Sequence, residues 1–339
     1  MLVINSTLTE RNFRRLLLVC LGLLHIAACQ NRAPRLTGPL TADFQHWLIA
    51  NGYESENFDR SDVGPSGSFG GRTRRNQILH HEPVIFIHGT ADAALYIQPP
   101  IATGWTRSIQ YFLEQNYTSA ELYATTWGET WAGGNLVDAH STIHTCTNLM
   151  YLRKFVRAVL EYTGAEKVDV IAHSFAVPLM RKVLKGGGLI ATDGNCSIGP
   201  PLTDRVDTFL GIAGANYGLC MCQFAQTIPA WCNALDGLYP GYTCEDQILC
   251  GYPDGECTQK NYSAFLEGLN NDPTREAEHV YAMWSDVDET LLFRGMTWGK
   301  PTSRIPGMNG RWVSDRNSHT AMKDLTELRQ YEAVVHHSI

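Results

Sequence analysis

The chain has no HExxH zinc signature, no paired CxxC spacing and no nucleotide-binding glycine loop, which removes the usual sequence grounds for a metal or cofactor. It has no run of basic residues that would mark a nucleic-acid surface, and no internal repeat. Past residue 29 there is no apolar stretch long enough to span a bilayer. What it does have, in 339 residues of which 44% are apolar, is enough material for one large core.

The amino-terminal end is distinctive. Arg11, Arg14 and Arg15 precede an apolar run from Leu16 to Ala28, broken only by Gly22 and His25. That run is too short to cross a membrane comfortably and ends in small residues, so residues 1–29 read as a cleaved secretory signal. Ile26-Ala27-Ala28-Cys29 also fits a bacterial lipid-attachment box, in which Cys29 would become the first residue. Removing residues 1–29 takes away three arginines and Glu10, so the net charge goes from -7 to -9. The expected location is extracellular.

Of the ten cysteines, eight lie beyond that segment: Cys146, Cys196, Cys220, Cys222, Cys232, Cys244, Cys250 and Cys257. An even number behind a secretion signal predicts up to four disulfides. Cys220 and Cys222 are too close to pair with each other, so each needs a different partner. Asn116, Asn195 and Asn261 head N-x-S/T triplets, which become glycan acceptors in a eukaryotic secretory pathway.

Residues 30–77 are polar and rich in Gly and Ser, and read as an extension packed on the surface. From residue 78 the pattern changes. Val84–Ile87 is a buried strand, Trp105–Gln115 a helix and Leu122–Thr126 a strand. Leu149, Leu152, Val156, Val159 and Leu160 mark an amphipathic helix ending near Gly164. Val168–Ala172 is a strand, and Val177–Leu184 a helix closed by Gly186-Gly187-Gly188. Val206–Ile212, Val280–Trp284 and Arg311–Val313 are further strands. Strands alternating with helices predict an α/β domain over 78–339, with a mostly parallel sheet covered on both faces.

Ser174 sits between a predicted strand and a predicted helix, in Ala172-His173-Ser174-Phe175-Ala176. A tight turn there lifts its hydroxyl above the carboxyl edge of the sheet, beside a helix N-terminus that favours negative charge. The usual elbow has Gly at both flanks, where this chain has Ala. A tetrahedral oxyanion needs two N–H donors. Phe175 supplies one from its backbone and Thr90, after His88-Gly89, the other. In the α/β-hydrolase order the acid and then the histidine follow the nucleophile. His279 precedes the acid loop, and His336 and His337 lie in the tail, so His319 remains as the base. Asp286 and Asp288 both follow the strand ending at Trp284. Asp286 with Glu289 three residues on looks like a helix capping box, which leaves Asp288 as the acid.

These segments resemble the class 2 lipases, the EstA/EstB family, in particular its secreted animal members. The likeness is carried by Val84 to Thr90, Ala172 to Ala176, Val206 to Gly218, Trp284 to Asp288 and Asn317-Ser318-His319, and it extends from about Pro39 to the last helix. It implies hydrolysis of acylglycerols or other carboxylic esters, with Ser174, Asp288 and His319 at the triad positions. Phe175 and Ala176 depart from the family's pattern, which has Gly and often Met there. The expected partners are a lipid or other ester substrate and, transiently, a lipid interface, with no nucleic acid. A short-chain carboxylesterase, and a secreted binding protein that kept the fold without the activity, are the other readings. The cysteine-rich insertion, about 218–258, carries Met221, Trp231, Leu235 and Leu238, and is expected to cap the site and line an acyl pocket.

Overall fold

The computed structural model describes residues 36–100, 102–130, 143–224, 230–241, 244, 262–297 and 299–339. The expected secretion signal, Cys250, Cys257, Asn261 and much of the cysteine-rich insertion lie outside the described residues.

Seven strands make the central sheet: β1 (Ser68–Phe69), β2 (Val84–Ile87), β3 (Leu122–Thr125), β4 (Val168–His173), β7 (Val206–Ile212), β8 (His279–Ser285) and β11 (Gly310–Ser314). Their spatial order is β1-β3-β2-β4-β7-β8-β11. Every pair is parallel except β1 with β3. Two small antiparallel pairs stand apart, β5 (Gly188–Ala191) with β6 (Gly194–Ser197) and β9 (Met296–Thr297) with β10 (Lys300–Pro301). Both were absent from the sequence expectation.

The continuous apolar runs are explained by cover on both faces. Alternate residues of a strand point to opposite sides. Ile85 and Ile87 accordingly join the core built on α3 (Cys146–Thr163) and α4 (Ala176–Lys185), where α1 is Ala42–Ala50 and α2 Thr106–Glu114. Val84 and Phe86 join Trp105, Ile109 and Phe112 on the other face. The predicted stripe of α3, from Leu149 to Leu160, is buried throughout. Thr145 caps the start of α3 by accepting the Asn148 N–H at 3.3 Å. Burying each such aliphatic side chain stabilises by about 1.5–3 kcal/mol. Beyond α5 (Ala264–Asn271) the chain closes with α6 (Ala321–Asp324) and α7 (Glu327–His336). No helix among the described residues is long and apolar enough to cross a membrane.

The segment expected as a surface extension is instead part of the core. Leu40, Phe44 and Phe58 are buried, and the Phe44 ring stacks on Tyr162 with centroids 4.3 Å apart. β1 adds an antiparallel edge to the sheet, with Ser68 opposite Thr125. A polar, glycine-rich composition hid a two-residue strand and the four-residue spacing of Leu40, Phe44 and Leu48.

Among the described residues three disulfides are formed: Cys146–Cys196, Cys220–Cys244 and Cys222–Cys232. Cys220 and Cys222 therefore take different partners, as their spacing requires. The chain ends at the amino edge of the sheet. There the His337 ring stacks on His279 at the start of β8, with centroids 3.8 Å apart, and its Nε2 lies 2.7 Å from Asp207 near the start of β7.

Candidate active site

The turn between β4 and α4 is strained in the manner an elbow requires. Ser174 has φ 59°, in the left-handed region that a non-glycine residue seldom occupies. Its N–H donates to Ile212 O at 2.8 Å and its carbonyl accepts from Val177 N at 3.0 Å, which fix the turn from both sides. Pro178 falls in the first turn of α4, where a missing N–H costs little.

Three loops from the same edge of the sheet converge on Ser174. His319 Nε2 is 2.9 Å from Ser174 Oγ. His319 Nδ1 is 2.7 Å from Asp288 Oδ2. A carboxylate only accepts, so Nδ1 carries the proton and Nε2 is left to accept from the serine hydroxyl. The other carboxylate oxygen of Asp288 accepts from the backbone N–H groups of Thr290 and Leu291, at 2.9 and 2.8 Å. Ser174, Asp288 and His319 are all buried.

Of the two candidate acids, then, Asp288 meets the histidine. Asp286 is exposed, its N–H bonded to Ser314 O at 2.9 Å, and no helix starts there. The expected capping box between Asp286 and Glu289 does not form. Glu289 instead turns to the histidine, accepting the His319 N–H on Oε2 at 2.9 Å. From the other side His173 Nε2 approaches His319 O at 3.2 Å. Burial, with His319 and Lys323 nearby, holds the His173 pKa well below its ordinary value, so the ring stays neutral and can donate. Neither Glu289 nor His173 was expected to touch His319. The histidine at the centre of the elbow was visible in the sequence, but its contact 146 residues away was not.

The loop after β2 lies directly against the nucleophile. A Cβ on Gly89 would stand 2.8 Å from Ser174 Cβ, so only glycine lets the loop come this close. His88 shapes that loop from beneath. Its Nδ1 is 2.6 Å from Gly89 O, and its Nε2 accepts the Trp127 N–H at 3.1 Å. Complete burial holds its pKa down to about 4, so it too is neutral. Thr90 follows, with a buried Oγ1 that has no hydrogen-bond partner among the described residues. Phe175 opens α4, and its ring lies 5.6 Å from Trp231 of the cysteine-rich insertion.

A serine–histidine–aspartate chain on the carboxyl edge of a mostly parallel sheet, whose members follow one another in sequence as serine, acid and histidine, is the arrangement of an α/β-hydrolase. The family model of lipase (class 2) matches residues 81–332, and the chain belongs to that family of lipase and esterase type ester hydrolases. Similar solved structures include Aspergillus fumigatus lipase B, at 12% identity and TM-score 0.48, over 81% of this chain and 57% of that one. The match thus spans little more than half of the fungal protein. A mature Bacillus licheniformis lipase is similar at 12% identity and TM-score 0.45, over 79% and 97% of the two chains. A Paleococcus ferrophilus monoacylglycerol lipase is similar at 12% identity and TM-score 0.41, over 80% and 98%.

Proposed function

We propose that this protein is a secreted lipase that hydrolyses acylglycerol esters through an acyl-enzyme on Ser174. The observation that carries the reading is the continuous hydrogen-bonded chain Ser174–His319–Asp288, at 2.9 and 2.7 Å. Ser174 Oγ attacks the ester carbonyl carbon while its proton passes to His319 Nε2, and Asp288 stabilises the imidazolium that forms. The carbonyl oxygen becomes an oxyanion held by the backbone N–H groups of Thr90 and Phe175. Each such donor is worth roughly a hundredfold or more in turnover. Collapse of the intermediate breaks the bond to the alcohol, which leaves with the proton from His319. A water then repeats the sequence on the acyl-enzyme and releases the carboxylic acid.

Two features support an apolar acyl group. The ring of Phe175, next in the chain to the nucleophile, lies 5.6 Å from that of Trp231. The insertion that brings Trp231 is tied down by Cys222–Cys232 and by Asp236, whose carboxylate accepts the Thr192 N–H at 2.7 Å. We read this insertion as a cap over the acyl site, within the one compact unit Leu36–Ile339. Secretion is supported by three disulfides, which persist in oxidising compartments, and by the signal-like residues 1–29. Asn116 and Asn195 are both exposed, as glycan acceptors must be.

The test is labelling by a fluorophosphonate, followed by turnover of p-nitrophenyl esters of increasing chain length. Wild type should be labelled and Ser174→Ala should not. A rate that rises with chain length supports a lipase, whereas a maximum at acetate would make it a short-chain carboxylesterase. Absence of labelling in folded wild type would leave a binding protein.

A further inference from the structure

Lys323 is a costly side chain to place where it is. It is completely buried, and removing an ammonium group from water costs several kcal/mol even after relaxation. All its donors are used. Nζ is 2.7 Å from Asp92 Oδ2, 2.9 Å from Thr103 Oγ1 and 2.6 Å from Gly104 O. Asp92, itself buried, spends its other oxygen within its own neighbourhood, accepting the N–H groups of Ala93 and Gly104, both at 2.8 Å. Its N–H donates to Gly89 O at 3.3 Å.

The two partners sit at informative places. Asp92 is two residues beyond Thr90, in the loop that presses on Ser174. Lys323 is four residues beyond His319, in a turn fixed by the Met322 N–H to Ser318 O bond at 2.9 Å and the Lys323 N–H to Thr320 O bond at 3.0 Å. One buried ion pair therefore joins the oxyanion loop to the histidine segment across 231 residues of sequence. A well-packed apolar pair would serve stability as well or better, so stability alone does not account for it.

We propose that Lys323 and Asp92 are positioning residues that set the Thr90 N–H and the His319 imidazole in register about one reacting carbonyl. The proposal rests on the serine-hydrolase reading above. It adds that one of the oxyanion donors and the base are held by a common strut, not independently.

The test is the double variant Lys323→Met with Asp92→Asn. Asparagine keeps the acceptor for Ala93 and Gly104, and methionine fills the lysine stem; the tie is cut together with the Nζ contacts to Thr103, Gly104 and Asp324. Misplacing a reacting group by about 1 Å costs on the order of a hundredfold. With p-nitrophenyl butyrate the expected result is a kcat lower by roughly 30- to 100-fold, with KM within about threefold. The low-field proton resonance of His319 Nδ1 should shift or broaden at the same time. Asp92→Asn alone, which weakens the tie without removing Lys323, should give a smaller loss of the same kind, and it serves if the double variant does not fold. A folded variant with wild-type kcat and an unmoved proton resonance would overturn the proposal. If wild type itself neither turns over esters nor takes the fluorophosphonate, the hydrolase reading fails. The resonance then still decides whether the strut positions His319, because it needs no substrate.

Discussion

Gly89→Ala is the sharpest single probe of the site, because its consequence can be worked from one distance. The added methyl carbon would stand 2.8 Å from Ser174 Cβ, 3.4 Å from His173 Nδ1 and 3.4 Å from His173 O. Carbon atoms rest at about 3.5–4.0 Å, so loop and elbow must separate by about 0.7 Å or more. The nearest neighbour is the Ser174 Cβ and another is backbone, and neither can swing aside as the end of a flexible side chain would. The φ of Gly89 lies outside the left-handed region, so alanine brings no backbone strain of its own and the effect is steric. Overpacking of this kind costs about 1–3 kcal/mol in stability. A displacement of this size between Ser174, His319 and the oxyanion donors should lower kcat by roughly 30- to 100-fold, with KM little changed. Steady-state kinetics on a soluble p-nitrophenyl ester, well below the melting temperature, measures it. Gly268→Ala, in α5 with open space around its Cβ, is the matched control and should leave kcat unchanged. A Gly89→Ala protein within threefold of wild-type kcat would show that the loop does not bear on the nucleophile as described.

Further outcomes follow from other contacts. Asp288→Asn replaces the acceptor that holds the His319 tautomer; kcat should fall by about 10³–10⁴-fold with the protein still folded, read by turnover and circular dichroism. Removing the Cys146–Cys196 bridge by double alanine substitution frees a 50-residue loop in the unfolded chain. On the chain-entropy model this costs about 4 kcal/mol, measured by urea unfolding. Burial holds the pKa of His88 and of His144 at about 4, against an ordinary value of 6.5. An unfolded chain then binds more protons than the native one between those values. The stability contribution is complete above pH 6.5 and is lost as pH falls from 6.5 through 4, by up to about 3 kcal/mol for each histidine. A urea midpoint that stays level across that range would contradict it.

The parts of this protein that could be read from its sequence are those where chemistry is local. β2 is an unbroken apolar run, and β4, β7 and β8 are mostly apolar and β-branched or aromatic, as strands covered on both faces require. Ser174 was found because an elbow needs small flanking residues between a strand and a helix. His319 follows from chain order, and it is Asp288, not Asp286, that lies against it, although the capping box that set Asp286 aside does not form. Glu289 does not cap a helix; it reaches across to the backbone of His319. What escaped was mostly long-range: the burial of Phe44 under Tyr162 and the bond between Lys323 and Asp92, besides the local hairpin of β5 and β6. A lysine and an aspartate 231 residues apart look, in one dimension, like any two surface charges. Only the fold makes them a pair.

The packing of His337 against His279 and Asp207 fixes where the last residues emerge: beneath the sheet, on the side remote from Ser174. A linker or bead attached after Ile339 would hold the molecule with its mouth turned to the liquid. Tethering after Ile339 should thus spare turnover.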